Sequence, residues 1–305
     1  MFLSIWPKPN KYIFKKKKKI NKEHLQIIEN FFVKQYNSKY CVLVPSARSG
    51  IVLSFIYKKI NKSKIIKIPK WSSSCLYSSL GTISNLTCNS NNFDAALVVH
   101  TLGNTFNTNK KSILVDDSSD SLPKKNFVPY INSKFSDVIS LPKIIGSYCG
   151  GLVLTNNKSF YKFLKSQQIK NISLAYEQSL KKYKSNILKN INFDWFYHEA
   201  FNFSLDFNTC ENVFHNLDNF FLNKEIIEKR RKILKSLINS IDEHRLGPCL
   251  QLDYDKRYSK FLETRHFNVT QSIHKEKFIK KLILPIHFTI SDREFYKKLN
   301  AIKKN

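Results

Sequence analysis

The sequence predicts an α/β fold built on a mostly parallel sheet covered on both faces. Three observations carry this. Short apolar runs recur along the first half: Cys41–Val44, Ile65–Ile68, Ala95–His100, Ser112–Val115, Phe135–Ile139 and Leu152–Thr155. Stretches with helical periodicity separate several of them, and that alternation is the mark of a sheet with parallel strands. Turn-forming and chemically capable residues follow the carboxyl ends of these strands, where open α/β sheets bind ligands.

In chain order, residues 1–40 form an N-terminal segment with the lysine run Lys15–Lys19, then a helix from Asn21 to Phe32 with Leu25, Ile28, Phe31 and Phe32 on one face. The lysine run reads as a solvated loop, with membrane or nucleic-acid contact as the sharper alternative. The strand Cys41–Val44 leads through the turn Pro45–Gly50 into a helix over Ile51–Ile60. A small-residue turn that opens a helix offers free N–H groups to a phosphate, and it is also an ordinary helix start. Ile65–Ile68 is followed by Pro69–Cys75 and an apolar helix through Leu80. Ala95–His100 ends in Thr101–Asn104, and Ser112–Val115 runs at once into Asp116–Asp120.

The strand Phe135–Ile139 leads into Ser140–Lys143, and a second strand starts after Gly150–Gly151. A lysine between two buried strands suits covalent work through its amine, although most lysines are solvated surface. The glycine pair lets backbone pass close by. Beyond about residue 160 the pattern turns helical and Lys-rich, with an aromatic cluster over 193–203 and helices over Glu211–Phe221 and Lys224–Ile241. His287 lies in a strand-like run, and Ser291 caps a last helix, Asp292–Lys304. The expected domains are 41–175 and 176–305, after the segment 1–40.

The 305 residues and 42% hydrophobic content support a sizeable core and exclude a disordered chain. No apolar run approaches the roughly 20 residues that span a membrane. The first residues lack a basic segment and a cleavage site, so the expectation is a mature, cytoplasmic protein. Six scattered cysteines and eight histidines show no metal-ligand spacing, which argues against a disulfide framework or a zinc site. The net charge is +28, but only seven basic residues are Arg, the side chain that reads nucleic acid by paired hydrogen bonds. Such a field draws anionic partners, including nucleotides and phosphorylated sugars.

These segments, in this order, resemble the DegT/DnrJ/EryC1/StrS aminotransferases, the sugar aminotransferases of PLP fold type I. Ser46–Ser49 is similar to that family's phosphate turn, and Val98–Gly103 to its Val-Val-His-x-x-Gly. Val115–Asp120 is similar to Ile-Glu-Asp-Ala-Ala-His/Gln, and Ser140–Lys143 with Gly150–Gly151 to the Schiff-base lysine and its glycine-rich partner. Leu284–His287 and the closing helix resemble the family's end. The match is good over 41–160 and loose from 160 to 280.

The resemblance implies an aspartate-aminotransferase-like large domain and a smaller, shortened α+β C-terminal domain. It implies pyridoxal 5'-phosphate on Lys143, with Asp117 holding the pyridine nitrogen protonated so that the ring acts as an electron sink. Ser46, Ala47, Arg48, Ser49 and Ser140 would hold the phosphate. Trp71 is the candidate for stacking on the ring, and His100, Asn104 and Asp120 would lie near it. The implied reaction moves an amino group from glutamate to a keto nucleotide-sugar, in surface polysaccharide or lipopolysaccharide biosynthesis, by a homodimer. Two departures stand out: Ala47 replaces a glycine, and Asp120 stands where His or Gln is usual. They motivate the alternative of a degenerate homologue that no longer transaminates. A basic nucleic-acid or membrane-surface protein is the rival from another class.

Overall fold

The computed structural model describes residues 4–9, 15, 19–70, 72–103, 106, 112–124, 127, 129, 133, 135–169, 200–234, 245–260, 262–268 and 277–303. Helix α1 (Lys22–Gln35) opens the ordered architecture. Asn21 caps it, with Oδ1 accepting the N–H groups of Glu23 and His24. Strand β1 (Tyr40–Val44) follows, then α2 (Ala47–Tyr57), β2 (Ile65–Lys67), α3 (Ser74–Ile83), β3 (Asn85–Thr87), β4 (Ala95–Val99) and β5 (Ile113–Asp117). Next come β6 (Leu122–Pro123), β7 (Ser136–Ser140), a five-residue α4 (Leu141–Ile145), β8 (Gly151–Thr155) and α5 (Lys158–Gln168).

Strands β1–β5, β7 and β8 form one sheet in the order β1-β8-β7-β5-β4-β2-β3. The pairs among β7, β5, β4, β2 and β3 are parallel. Only β8 runs against its neighbours, antiparallel to both β1 and β7. The fold is therefore α/β with a mainly parallel sheet, as the alternation predicts. Both faces are covered, and the strand period shows it. On β1, Cys41 and Leu43 join one apolar core while Val42 and Val44 join another; on β8, Leu152 and Leu154 face the first and Val153 the second. Helices α2, α3 and α5 contribute to the second core.

The C-terminal part contains α6 (Phe207–His215), α7 (Asn219–Ile233), β9 (Arg245–Leu246), β10 (Cys249–Asp253), β11 (Glu263–Asn268), β12 (Phe278–Pro285) and α8 (Asp292–Lys303). Strands β10, β12 and β11 form a small antiparallel sheet with β12 central. The short ladder β6–β9 ties this part to the large sheet through Leu122↔Leu246. Ser291 and Glu294 cap α8 reciprocally.

Several boundaries differ from the sequence expectation. Helix α2 starts at Ala47 rather than Ile51, because Ser46 and Ser49 form a capping box. The helix expected over Glu211–Phe221 is two helices, broken at Asn216–Asp218, and 235–241 lies outside the described residues. Of the lysine run, only Lys15 and Lys19 are described. The Lys15 backbone docks on Asn208 of α6, its N–H donating to Oδ1 at 2.8 Å. Among the described residues no helix is long and apolar enough to cross a membrane.

Candidate active site

A cavity of about 550 Å³ opens at the carboxyl ends of the parallel strands, within the roughly 300–1,000 Å³ usual for small-ligand sites. Ser46, Ala47, Arg48, Asp117, Ser140 and Lys143 all line it. They come from the starts of α2 and α4 and the ends of β5 and β7. Four stretches spread over about a hundred residues thus meet in one hollow.

One end of the cavity is the first turn of α2. Its N–H groups have no intrahelical acceptor, and the helix dipole favours an anion there. Ser46 Oγ accepts the Ser49 N–H at 3.1 Å, and Ser49, fully buried, fixes the turn rather than lining the cavity. Arg48 stands beside it, Nη1 3.5 Å from the Cys75 sulfur. The glycine pair shapes this turn. A Cβ on Gly151 would lie 2.5 Å from the Ser46 carbonyl carbon and would strike the Ala47 nitrogen. Gly150 has φ +103° and its N–H donates to the Pro45 carbonyl at 2.8 Å. The glycines thus make room for the turn's own backbone, and Ala47 fits because Gly151 yields that space.

Lys143 projects from α4, a helix that the strand–loop–strand reading did not contain. Pro142 stands in its first turn, a favoured place for proline. The Lys143 Nζ makes no hydrogen bond with a described residue and lies 4.4 Å from the centre of the Trp6 ring. Asp117 ends β5, buried. Its Oδ1 accepts the backbone N–H of Ser119 at 3.0 Å and also the Ser119 hydroxyl. Its other oxygen has no hydrogen-bond partner among the described residues. A bare amine, a carboxylate with one uncommitted oxygen, and a helix N-terminus with an arginine fit a phosphorylated pyridine aldehyde.

Other expected residues lie elsewhere. His100 is fully buried and does not line the cavity: Nε2 faces Asp116 Oδ1 at 2.8 Å and Nδ1 accepts the Phe106 N–H at 3.0 Å. It is a satisfied core imidazole that holds Asp116. Asp120 is buried outside the lining. Burial raises its carboxyl above the usual range, while the Lys143 charge and the Leu102 N–H pull it down. Trp71 and Asn104 lie outside the described residues.

Sequence reading missed Trp6, Lys8, Cys75, Ser119, Tyr148 and Arg265, which also line the cavity. Residues 4–9 form a strap along it, lining it with Ser4, Trp6, Pro7, Lys8 and Pro9. His287 Nε2 bonds the Ser4 carbonyl at 2.9 Å, the Cys249 thiol the Ile5 carbonyl at 2.9 Å, and Thr289 Oγ1 accepts the Lys8 N–H at 3.1 Å.

A mainly parallel sheet covered on both faces, with this cavity at its strand ends, suits a PLP-dependent enzyme. Residues 28–305 match the family described as "Putative PLP-dependent aminotransferase", and the chain belongs to it. No curated protein matches the chain. Solved structures share the fold at low identity. The sugar aminotransferase CalS13 from Micromonospora echinospora has TM-score 0.64 and 11% identity, over 94% of this chain and 93% of that one. A DegT DnrJ EryC1 StrS aminotransferase from Brucella abortus has TM-score 0.61 and 11% identity, over 93% and 91%. Helicobacter pylori PseC, an aminotransferase involved in the biosynthesis of pseudoaminic acid, has TM-score 0.58 and 11% identity, over 92% and 90%.

Proposed function

We propose that this chain is a PLP-dependent aminotransferase that moves an amino group from glutamate to a keto nucleotide-sugar for a surface glycan. The observation that carries it is the convergence of Lys143, Asp117 and the Ser46–Arg48 turn on one cavity. The bound cofactor would supply an electron sink for the substrate's Cα electrons.

The chain's residues would do the rest. Arg48, Ser140 and the α2 N-terminus would hold the phosphate. The free oxygen of Asp117 would accept a hydrogen bond from the protonated ring nitrogen, with Ser119 fixing its partner oxygen. Lys143 would bind the aldehyde and, when released, carry a proton to or from the substrate. The turning of Asp120 toward Leu102 keeps its charge out of the lining, which supports activity over the degenerate alternative. The roles of the structural relatives support the sugar substrate, and a basic protein suits a diphosphate. In this reading, the large domain spans 41–175, the small one 176–305, and the enzyme works as a cytoplasmic homodimer.

The test is purification with PLP, borohydride reduction and mass spectrometry. A reduced adduct on Lys143, absent in Lys143→Ala, is expected. Turnover of glutamate with a keto nucleotide-sugar should fall at least about 10²-fold in that variant. Absence of any adduct in the wild type overturns the reading.

A further inference from the structure

Trp6 and Lys143 both line the cavity, and they meet there. The Lys143 Nζ lies 4.4 Å from the indole centre, inside the ~6 Å reach of a cation–π contact. No hydrogen bond ties this Nζ to a described residue, so no described carboxylate holds it by one. The strap that carries Trp6 precedes residues 28–305, the stretch that matches the family.

The backbones that carry ring and amine are fixed to one another. Lys143 rides on α4, whose end is held by α7. Asn223 Nδ2 donates to the Ile144 carbonyl at 2.6 Å, and Asn219 Nδ2 to the Ile145 carbonyl at 2.9 Å. Asn223 is fully buried, and its Oδ1 accepts the Phe288 N–H at 3.1 Å. Phe288 lies between His287 and Thr289, which anchor Ser4 and Lys8 on either side of Trp6. One buried side chain thus joins the lysine's helix to the anchor of the strap. At Gly146, where φ is +68°, a Cβ would sit 3.2 Å from the Lys8 carbonyl, so the end of α4 lies directly against the strap.

We propose that Trp6 is a positioning residue whose indole face holds Lys143 as an ammonium while the lysine is off the aldehyde. The inference rests on the function proposed above and gives the strap a part in it. In that reaction the substrate's amino group displaces Lys143 from the aldehyde carbon. The freed Nζ then takes the proton from the substrate's Cα and passes it to the former aldehyde carbon. No bond to Trp6 forms, and the proton stays on Nζ in between. A π face suits this task better than a carboxylate. It attracts the charge without competing for the proton, whereas a carboxylate does both. The amine can also leave the ring without breaking a directed hydrogen bond.

The experiment is trace acetylation of the full-length protein, freed of PLP with hydroxylamine, with labelling of Lys143 read by mass spectrometry at one fixed pH. The reagent takes only the neutral amine, so a ring that holds the ammonium protects it. Wild type, Trp6→Phe, Trp6→Leu and the chain with trifluorotryptophan at position 6 are compared. Trp6→Leu and the fluorinated ring should each speed labelling by about 3- to 30-fold, with Trp6→Phe between them and wild type. The fluorinated indole keeps the shape of the ring and loses its negative face, so a contact of packing alone would leave its rate unchanged. A rate within twofold of wild type for the fluorinated ring overturns the proposal, whether or not Trp6→Leu folds. Borohydride trapping of the PLP-loaded wild type keeps the two readings apart. An adduct on Lys143 with labelling that ignores the ring overturns the role of Trp6 alone. No adduct overturns the proposed function, even where labelling follows the ring.

Discussion

Trp6 and Lys143 meet as ring and cation, the Nζ 4.4 Å from the indole centre. An aromatic face in that position is worth about 0.5–2 kcal/mol to a cation. Trp6→Ala should therefore loosen the strap. Hydrogen exchange at the Ile5 and Lys8 amides should speed up by about tenfold. Unchanged exchange would mean that His287, Cys249 and Thr289 hold the strap alone.

Gly151→Ala should be severe, because the new Cβ meets backbone of the Ser46–Ala47 turn, which cannot rotate away. A loss of about 1–3 kcal/mol is expected, with weaker PLP binding. Gly81→Ala in α3, where the nearest atom, on Leu86, would be 3.6 Å away, should instead stabilise by about 0.5–1 kcal/mol. Urea denaturation of both variants checks the contrast.

His287 gives the strap a pH dependence. Burial lowers its pKa from 6.5 to about 4; the Ser4 contact opposes this, and the Arg230 and Lys8 charges add to it. The folded state therefore keeps the imidazole neutral where the unfolded chain protonates it. Stability from this group is complete above about pH 6.5 and is lost as pH falls toward 4, by up to about 1.4 kcal/mol per unit. Comparing wild type with His287→Asn between pH 4 and 7 should show a flatter curve in the variant. Parallel curves would sink the assignment.

Arg245 and Asp137 are an ion pair with no exposure, 3.3 Å apart, and the guanidinium also reaches the Ser118 hydroxyl. This pair holds the loop between Asp117 and Asp120 to β7. Burial holds the Asp137 carboxyl above the usual range, and the Arg245 charge offsets only part of that. Arg245→Met should cost about 3–5 kcal/mol by stranding a buried carboxylate, and Arg245→Met with Asp137→Leu should recover most of it. Equal losses in the single and double variants would show that packing, not charge, dominates there.

What was legible followed from burial. Parallel strands covered on both faces read as continuous apolar runs, so Ala95–Val99 and its neighbours stood out. Lys143, Asp117 and Ser46, which line the cavity, follow such runs directly. The direction of β8 was hidden, since an apolar run looks the same either way. Helix α4 is too short for a periodic signal; Pro142 alone marked it. Strand β11 is an edge strand of its sheet and carries Glu263, Arg265 and His266, so charge masked its alternation. Trp6 and Arg265 join the site only through tertiary folding, and no local pattern announces them.

The bond between the Ser4 carbonyl and His287 spans 283 positions of sequence. At roughly 5–20 residues per second on the ribosome, the strap emerges about 15–60 s before the anchor that seats it. During that interval the growing chain can build the strand ends and the phosphate turn, but not the roof. A coenzyme arriving then would meet Lys143 before Trp6 is seated beside it, whereas the finished protein presents both together. Loading during synthesis and loading afterwards are therefore different kinetic events in this molecule.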